Sequence, residues 1–221
     1  IIVSLVGSEM CIRDSLSFVI VYVQWRKTRK QNKIIEEQHR QLDENHKEIT
    51  DSISYAKNIQ DAMMTSTVYL KDVLPESFIF FKPKDVVSGD YYWVYKTPYN
   101  NIYFTVADCT GHGVPGAFMS MIGTSLLNEN IIEKKVNNPG EILDNMRDKI
   151  IASLNNKDSK KETRDGMDVA LCKINFKKLT LQYAGANNPL VHVRNGEINH
   201  IKANYQPVSY THLTLPTNDL V

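Results

Sequence analysis

The sequence predicts an α+β domain, an antiparallel sheet with paired helices packed on it, behind one long helix. Three observations carry this. From about residue 75 the apolar residues alternate in short aromatic and β-branched runs, the signature of strands. Two segments of helical period follow, and then four further strand runs, so strands and helices come in blocks where a doubly wound βαβ fold would interleave them. Ahead of all this, residues 31 to 64 hold no Gly and no Pro, and apolar residues return every seven positions at Ile35, Leu42, Ile49, Ala56 and Met63.

Length and composition set the frame. A chain of 221 residues, 42% hydrophobic, can bury one sizeable core and carry an appendage, and a formal charge of +1 excludes a polyanion binder or an acidic tail. Cys11, Cys109 and Cys172 are odd in number and lack C-x-x-C spacing, which argues against a disulfide framework or a thiolate zinc site and for a reducing compartment. Both ends, Val3-Ser-Leu-Val-Gly-Ser-Glu-Met-Cys-Ile-Arg-Asp-Ser15 and Val208-Ser-Tyr-Thr-His-Leu-Thr-Leu-Pro-Thr217, resemble translated sequencing-adapter DNA at the edges of unrelated gene models. Residues 1–15 and 208–221 are therefore set aside as foreign.

Leu16 to Trp25 is apolar, with Arg26, Lys27, Arg29, Lys30 and Lys33 directly behind it. Ten residues fall short of the roughly 20 that span a bilayer, yet a shortened span would read this way, with an aromatic edge and basic residues on the cytoplasmic side. The alternative is an amphipathic or core element. The expectation is a transmembrane remnant at 16–25, a basic juxtamembrane segment and signalling helix over 26–74, and a globular domain over 75–207. The domain would then lie in the cytoplasm, tethered to the inner membrane.

On a polar helix, a sustained period of seven indicates a coiled-coil seam, so a homodimer through residues 31–64 is expected. The second row, Gln38, Asn45 and Ser52, makes that seam weak. A lone helix lying on the following domain is the alternative. His46 in Asn45-His-Lys-Glu-Ile-Thr-Asp51 faintly resembles the phosphoacceptor helix of a sensor histidine kinase, but no Gly-rich ATP-binding segment follows, and a solvated histidine is the simpler reading.

Within the domain, strands are expected at Phe78–Phe81, Tyr91–Tyr95 and Ile102–Val106. Pro115 opens a helix that runs to about Lys134, and a second spans Pro139 to Leu154. Residues 155–164 form a charged loop. Strands follow at Met167–Phe176, Leu179–Ala184, Leu190–Arg194 and Ile198–Lys202, the last two joined by the hairpin pair Asn195-Gly196.

Chemistry concentrates in Ala107-Asp-Cys-Thr-Gly-His-Gly-Val-Pro-Gly-Ala117. Asp108 stands where an inner strand runs out, and a carboxylate there is a hard oxygen ligand for Mg²⁺ or Mn²⁺. Gly111 and Gly113 let the backbone turn closely, while Gly116, Ala117 and Ser120 allow a helix to approach its neighbour. Asp90, after Ser88-Gly89, heads another strand; two such aspartates meeting across a sheet could hold a pair of metal ions for phosphoryl transfer. Two other readings stand beside this one. Gly111–Gly116 could cradle a phosphate at a helix N-terminus, although it lacks the Lys-Ser/Thr end of a P-loop, and Asp108 could merely cap a turn.

Four segments taken together resemble the successive motifs of the SpoIIE-type serine phosphatases, in the metal-dependent type 2C-like clan. They are Lys82-Pro-Lys-Asp-Val-Val-Ser-Gly-Asp-Tyr-Tyr-Trp93, the Ala107–Ala117 stretch, Asp165-Gly-Met-Asp-Val-Ala170 and Tyr183-Ala-Gly-Ala-Asn-Asn-Pro-Leu190. The resemblance covers about residues 75–207 and implies an α-β-β-α sandwich of four layers, here incomplete, with two divalent ions, Mn²⁺ or Mg²⁺, between the sheets. It implies that Asp90 and Asp108 are metal ligands, Asp108 bridging both ions, and that the backbone carbonyl of Cys109 is a further ligand. It implies hydrolysis of a phosphoserine or phosphothreonine on a regulatory protein, such as an anti-sigma-factor antagonist, without a covalent phosphoenzyme.

His112 is a candidate proton donor, with simple packing as its alternative, and Arg164 a candidate phosphate contact, with a solvated loop residue as its alternative. Asp165 and Asp168 stand between turn or hydrogen-bonding residues and a place behind the metal ligands. Asn187 and Asn188 are expected to set a turn. The family's later Asp-Gly strand end and final aspartate have no counterpart up to Pro207, so the polypeptide as given is expected to be inactive and poorly folded. A non-catalytic signalling module that dimerises through the coil is the competing function class.

Overall fold

The computed structural model describes the backbone of residues 2–154, 165–208 and 218–220, and side chains over 16–154 and 165–208. The chain divides into two compact units, Ile1–Ser52 and Ile53–Val221. One helix, α1 (Ile2–Met63), supplies the described part of the first unit and enters the second. In the first unit Ile35, Leu42 and Ile49 of the seven-residue row are exposed. Salt bridges between Arg40 and both Glu37 and Glu44 tie successive turns of its polar surface. Among the described residues, no helix is long and apolar enough to cross a membrane.

The second unit is α+β, as the block order predicts. After α2 (Thr67–Val73), capped by the Ser66 hydroxyl accepting from the Tyr69 amide, come β1 (Tyr91–Lys96) and β2 (Asn101–Cys109). Helices α3 (Gly113–Leu127) and α4 (Pro139–Leu154) follow, then β3 (Met167–Asn175), β4 (Thr180–Ala186), β5 (Leu190–Arg194), β6 (Glu197–Ile201) and β7 (Asn218–Leu220). One antiparallel sheet runs β1-β2-β3-β4-β7, and β5-β6 form a separate two-stranded sheet. Among the described residues the second sheet is this hairpin alone. Its turn uses Asn195 and Gly196 at φ 52° and 80°, the pair of positive angles that a two-residue hairpin requires.

The period of two along β2 explains the layering. Tyr103, Thr105, Ala107 and Cys109 are buried on the face that carries α3 and α4, where Leu127, Ile142, Leu143, Met146, Val169 and Leu171 close the core. Asn138 Oδ1 accepts from the amides of Gly140 and Glu141, so α4 starts with an Asn cap and Pro139 in its first turn. Leu143→Ala is expected to cost about 3 kcal/mol, measured by urea unfolding, because the side chain is fully enclosed. On the other face, Leu70 and Val73 of α2 cover Val94 and Ile102. Toward the C-terminal end of β2 that face stays open, at Val106 and Asp108.

Three expectations need correction. Phe78–Phe81 is not a strand; it finds no ladder partner among the described residues, and Phe78 and Phe80 are 89% and 86% exposed. The helix after the glycine-rich turn opens at Gly113, with Pro115 still in the first turn, where a missing N–H loses no partner. It does not continue as α-helix to Lys134 but widens to a π-turn over Asn128–Glu133. There the buried Asn130 side chain donates to the Leu126 carbonyl, the acceptor its own amide would have used, and Lys134 bonds back to Glu129.

Candidate metal centre

Strand register assembles the centre. Tyr91 pairs with Ala107 on β1 and β2, so one further step sets Asp90 opposite Asp108, and Asp108 pairs directly with Asp168 of β3. Ala107, Cys109 and Met167 point into the helical core, so the three aspartates share the opposite, open face in a single row. Adjacent strands bring directly opposed Cβ atoms to about 5 Å. Asp168, which sequence reasoning left between a turn residue and a place behind the ligands, belongs to this row. Asn187 sits at its end at φ 57°, its amide donating to Asp168 Oδ1 at 2.8 Å, while Asn188 donates to the Asp168 carbonyl at 3.0 Å. The two asparagines therefore set the turn, as expected, and also fix Asp168.

Like charges directly opposed across a sheet destabilise it. Burial, then hydrogen bonding and charge repulsion from Asp90, raise the Asp108 carboxyl above its ordinary range. Burial pushes the Cys109 thiol up to about 12, with Asp108, Asp90 and Asp168 adding to the effect. A neutral, buried thiol is no nucleophile at physiological pH. The Cys109 backbone packs closely at this point: a Cβ placed on Gly89 would lie 3.2 Å from the Cys109 carbonyl oxygen and 2.7 Å from that of Gly111. Both carbonyls thus lie against the residue that precedes Asp90. Among the described residues no three His, Cys, Asp or Glu side chains converge on one ion position, but the interacting pair Asp90 and Asp108, with an adjoining carbonyl, is hard oxygen chemistry that suits Mg²⁺ or Mn²⁺.

The turn behind the row follows from its glycines. Gly111 and Gly113 take φ 89° and 65°. His112 between them is the N-cap residue of α3 but makes no side-chain cap; its Nδ1 lies 2.8 Å from Asp85 Oδ2. The structure therefore brings Asp90, Asp108 and the Cys109 carbonyl together and holds His112 on the neighbouring turn. Arg164 lies outside the described residues.

Two contributors escaped sequence reasoning. Asp85 lies inside a motif but carried no sign of its partner. Gln60 of α1 is 3% exposed and clamps the loop before Asp90, its amide donating to the Ser88 carbonyl at 2.6 Å and the Ser120 hydroxyl at 2.7 Å and accepting from the Ser88 amide at 3.0 Å. Its signal was a polar residue on the same helix face as Ala56 and Met63. Gln60→Leu keeps the bulk and strands the Ser88 backbone groups, so a loss of about 2 kcal/mol is expected in urea unfolding. An unchanged midpoint would show that water satisfies the loop.

Comparison with known proteins bears on this geometry. The family model for Stage II sporulation protein E, SpoIIE, matches residues 98–212, just over half of the chain. The SiaA-PP2C domain of Pseudomonas aeruginosa is similar at 28% identity and TM-score 0.68, over 79% of this chain and 68% of that one. The PP2C phosphatase domain of SpoIIE from Bacillus subtilis, with a fragment of its regulatory domain, gives 16% identity and TM-score 0.47, over 61% of this chain and 37% of that one. RsbX in complex with magnesium gives 18% and 0.48, over 65% of each chain. The curated proteins give no match. The family match takes in β2 and β3 with Asp108 and Asp168, while Asp90 lies just ahead of it, and the chain belongs to the SpoIIE family of PP2C-type protein phosphatases.

Proposed function

We propose that the protein is a metal-dependent serine/threonine phosphatase that removes phosphate from a regulatory phosphoprotein in bacterial signal transduction, by family analogy an anti-sigma-factor antagonist. The observation that carries this reading is the register that sets Asp90, Asp108 and Asp168 side by side on the open face of the sheet. Asp90, Asp108 and the Cys109 carbonyl would hold two divalent ions, Mn²⁺ or Mg²⁺. When bound, such ions make water a nucleophile at neutral pH and neutralise the phosphate oxygens.

The chain's own residues do the rest. Asp108, between the other two carboxylates, is the central ligand side chain. His112, exposed on the adjoining turn, gives a proton to the departing serine or threonine oxygen. Arg164 is assigned a phosphate contact. Burial holds the Cys109 thiol protonated, so it is no nucleophile, and by family analogy water attacks the phosphorus directly.

In the same reading the protein is a homodimer held to the inner membrane, with the domain in the cytoplasm. Exposed Ile35, Leu42 and Ile49 support a second helix along the seam. Arg29 lies over the Trp25 ring at 4.7 Å, a basic and aromatic pairing suited to a membrane edge. The test is phosphate release from a phosphoserine peptide by the purified protein, with Mn²⁺ and with chelator. Turnover that needs Mn²⁺ and disappears in Asp90→Asn supports the reading; Mn²⁺-independent turnover, or none, contradicts it.

A further inference from the structure

We propose that Asp85 is a positioning residue of this centre, holding the His112 ring so that Nε2 faces the leaving oxygen of the phosphate ester. The inference rests on the phosphatase reading above and adds to it a residue that acts through His112. Its basis is geometric. An ionised carboxylate can only accept hydrogen bonds, so the 2.8 Å contact between Asp85 Oδ2 and His112 Nδ1 requires the proton to sit on Nδ1. The other ring nitrogen, Nε2, is thereby left for different work.

Three further features support a built arrangement. His112 is the N-cap residue of α3, yet its side chain makes no bond to the helix amides, so the ring is committed to Asp85 instead. The flanking glycines take positive φ, a backbone that delivers the ring to one side of the turn. A Cβ added at Gly113 would come 3.6 Å from Asp85 Oδ2, so the carboxylate reaches over the start of the helix. The loops 82–90 and 109–113 are thus joined at Asp85 and His112 and again where Gly89 meets the Cys109 and Gly111 carbonyls. Each loop carries a proposed metal ligand.

The chemistry balances. The oxygen of water forms a bond to phosphorus and releases one proton to solvent. The bond from phosphorus to the serine or threonine oxygen breaks, its electron pair stays on that oxygen, and the oxygen takes a proton from Nε2 of the doubly protonated ring. What remains is the neutral imidazole with its proton on Nδ1, the tautomer Asp85 holds. Solvent returns a proton to Nε2 before the next turnover.

Two measurements on the full chain test this. In the first, long-range ¹H–¹⁵N spectra of the neutral histidine side chains are compared for the wild type and Asp85→Ala. The expected result is His112 with its proton on Nδ1, the form free histidine disfavours, reverting to Nε2 in Asp85→Ala. A wild-type proton on Nε2, or spectra unmoved by the substitution, would overturn the proposal.

In the second, turnover of a phosphoserine peptide is set against p-nitrophenyl phosphate, whose leaving group needs no proton donor. Asp85→Ala should lower kcat for the peptide about tenfold and leave that for the aryl ester within about twofold, with Asp85→Glu restoring most of the loss. Equal losses on both esters would make Asp85 merely structural and overturn the proposal. If the wild type hydrolyses neither ester, the phosphatase reading fails, while the spectra still decide whether Asp85 holds His112.

Discussion

Asp108→Asn is expected to abolish metal-dependent phosphatase activity, lowering kcat by about a thousandfold or more, and at the same time to raise the melting temperature of the metal-free protein at neutral pH. The two effects share one cause. Asp108 stands directly between Asp90 and Asp168 in the strand register, so removing its charge deprives a metal of its central ligand and relieves repulsion when no metal is present. The pH dependence follows from the raised carboxyl. Its contribution to stability is fully present below the ordinary carboxylate range and is lost as pH rises through its folded-state value. The metal-free wild type should therefore lose stability over that window, and Asp108→Asn should lose less. Thermal melts in chelator across the acid range check this; parallel curves for the two proteins would contradict it. Added Mn²⁺ should reverse the order, stabilising the wild type and leaving the variant unmoved.

Gly116→Ala is the second large effect, and it acts through the backbone. In an ordinary helix interior the change would stabilise by about 1 kcal/mol. Here the new Cβ would sit 2.6 Å from the Gly111 carbonyl oxygen and 2.9 Å from the Gly89 Cα, both main-chain atoms that cannot rotate aside. Overpacking against backbone outweighs the propensity gain, and a net loss of about 3 kcal/mol is expected in urea unfolding. Gly89 and Gly111 flank Asp90 and the Cys109 carbonyl, so metal affinity should fall with stability. Gly196→Ala serves as the contrast. Its Cβ would meet nothing within 4 Å, although φ is 80°, so the cost there is confined to turn strain far from the centre. Retained metal affinity in Gly116→Ala would show that the helix can shift without disturbing the loops.

The sequence was most informative where one local rule decided the outcome. The Asn195-Gly196 turn, the positive angles at Gly111 and Gly113 and the span of α4 from Pro139 to Leu154 all follow from residue chemistry within a few positions. It was less informative where an element depends on a distant partner. Phe78–Phe81 has the composition of a strand, but a strand exists only with a ladder beside it. The helix expected to reach Lys134 yields to a π-turn where the Asn130 side chain takes the Leu126 carbonyl and accepts from Asn145 of α4, contacts that no helical propensity encodes.

The site divides in the same way. Asp90 and Asp108 stood out as strand-end carboxylates beside glycines, but that local pattern left a turn cap and a phosphate cradle open, and only the resemblance of four successive motifs to a known family made them expected ligands. Asp168 stayed undecided because its role depends on register between β2 and β3, which a single sequence does not specify. Asp85 and Gln60 were missed for a related reason. Their partners, His112 and Ser88, lie 27 and 28 residues away and are met only after the loops fold together. Sequence spacing alone gave neither residue a distinctive environment.

The most direct test of the metal centre is calorimetric titration of Mn²⁺ into the chelator-treated chain, run in parallel for the wild type, Asp90→Asn and Asp108→Asn. The account predicts saturable binding by the wild type that weakens at least tenfold in Asp90→Asn and vanishes in Asp108→Asn. Binding of equal strength in all three proteins would place the metal elsewhere and contradict it.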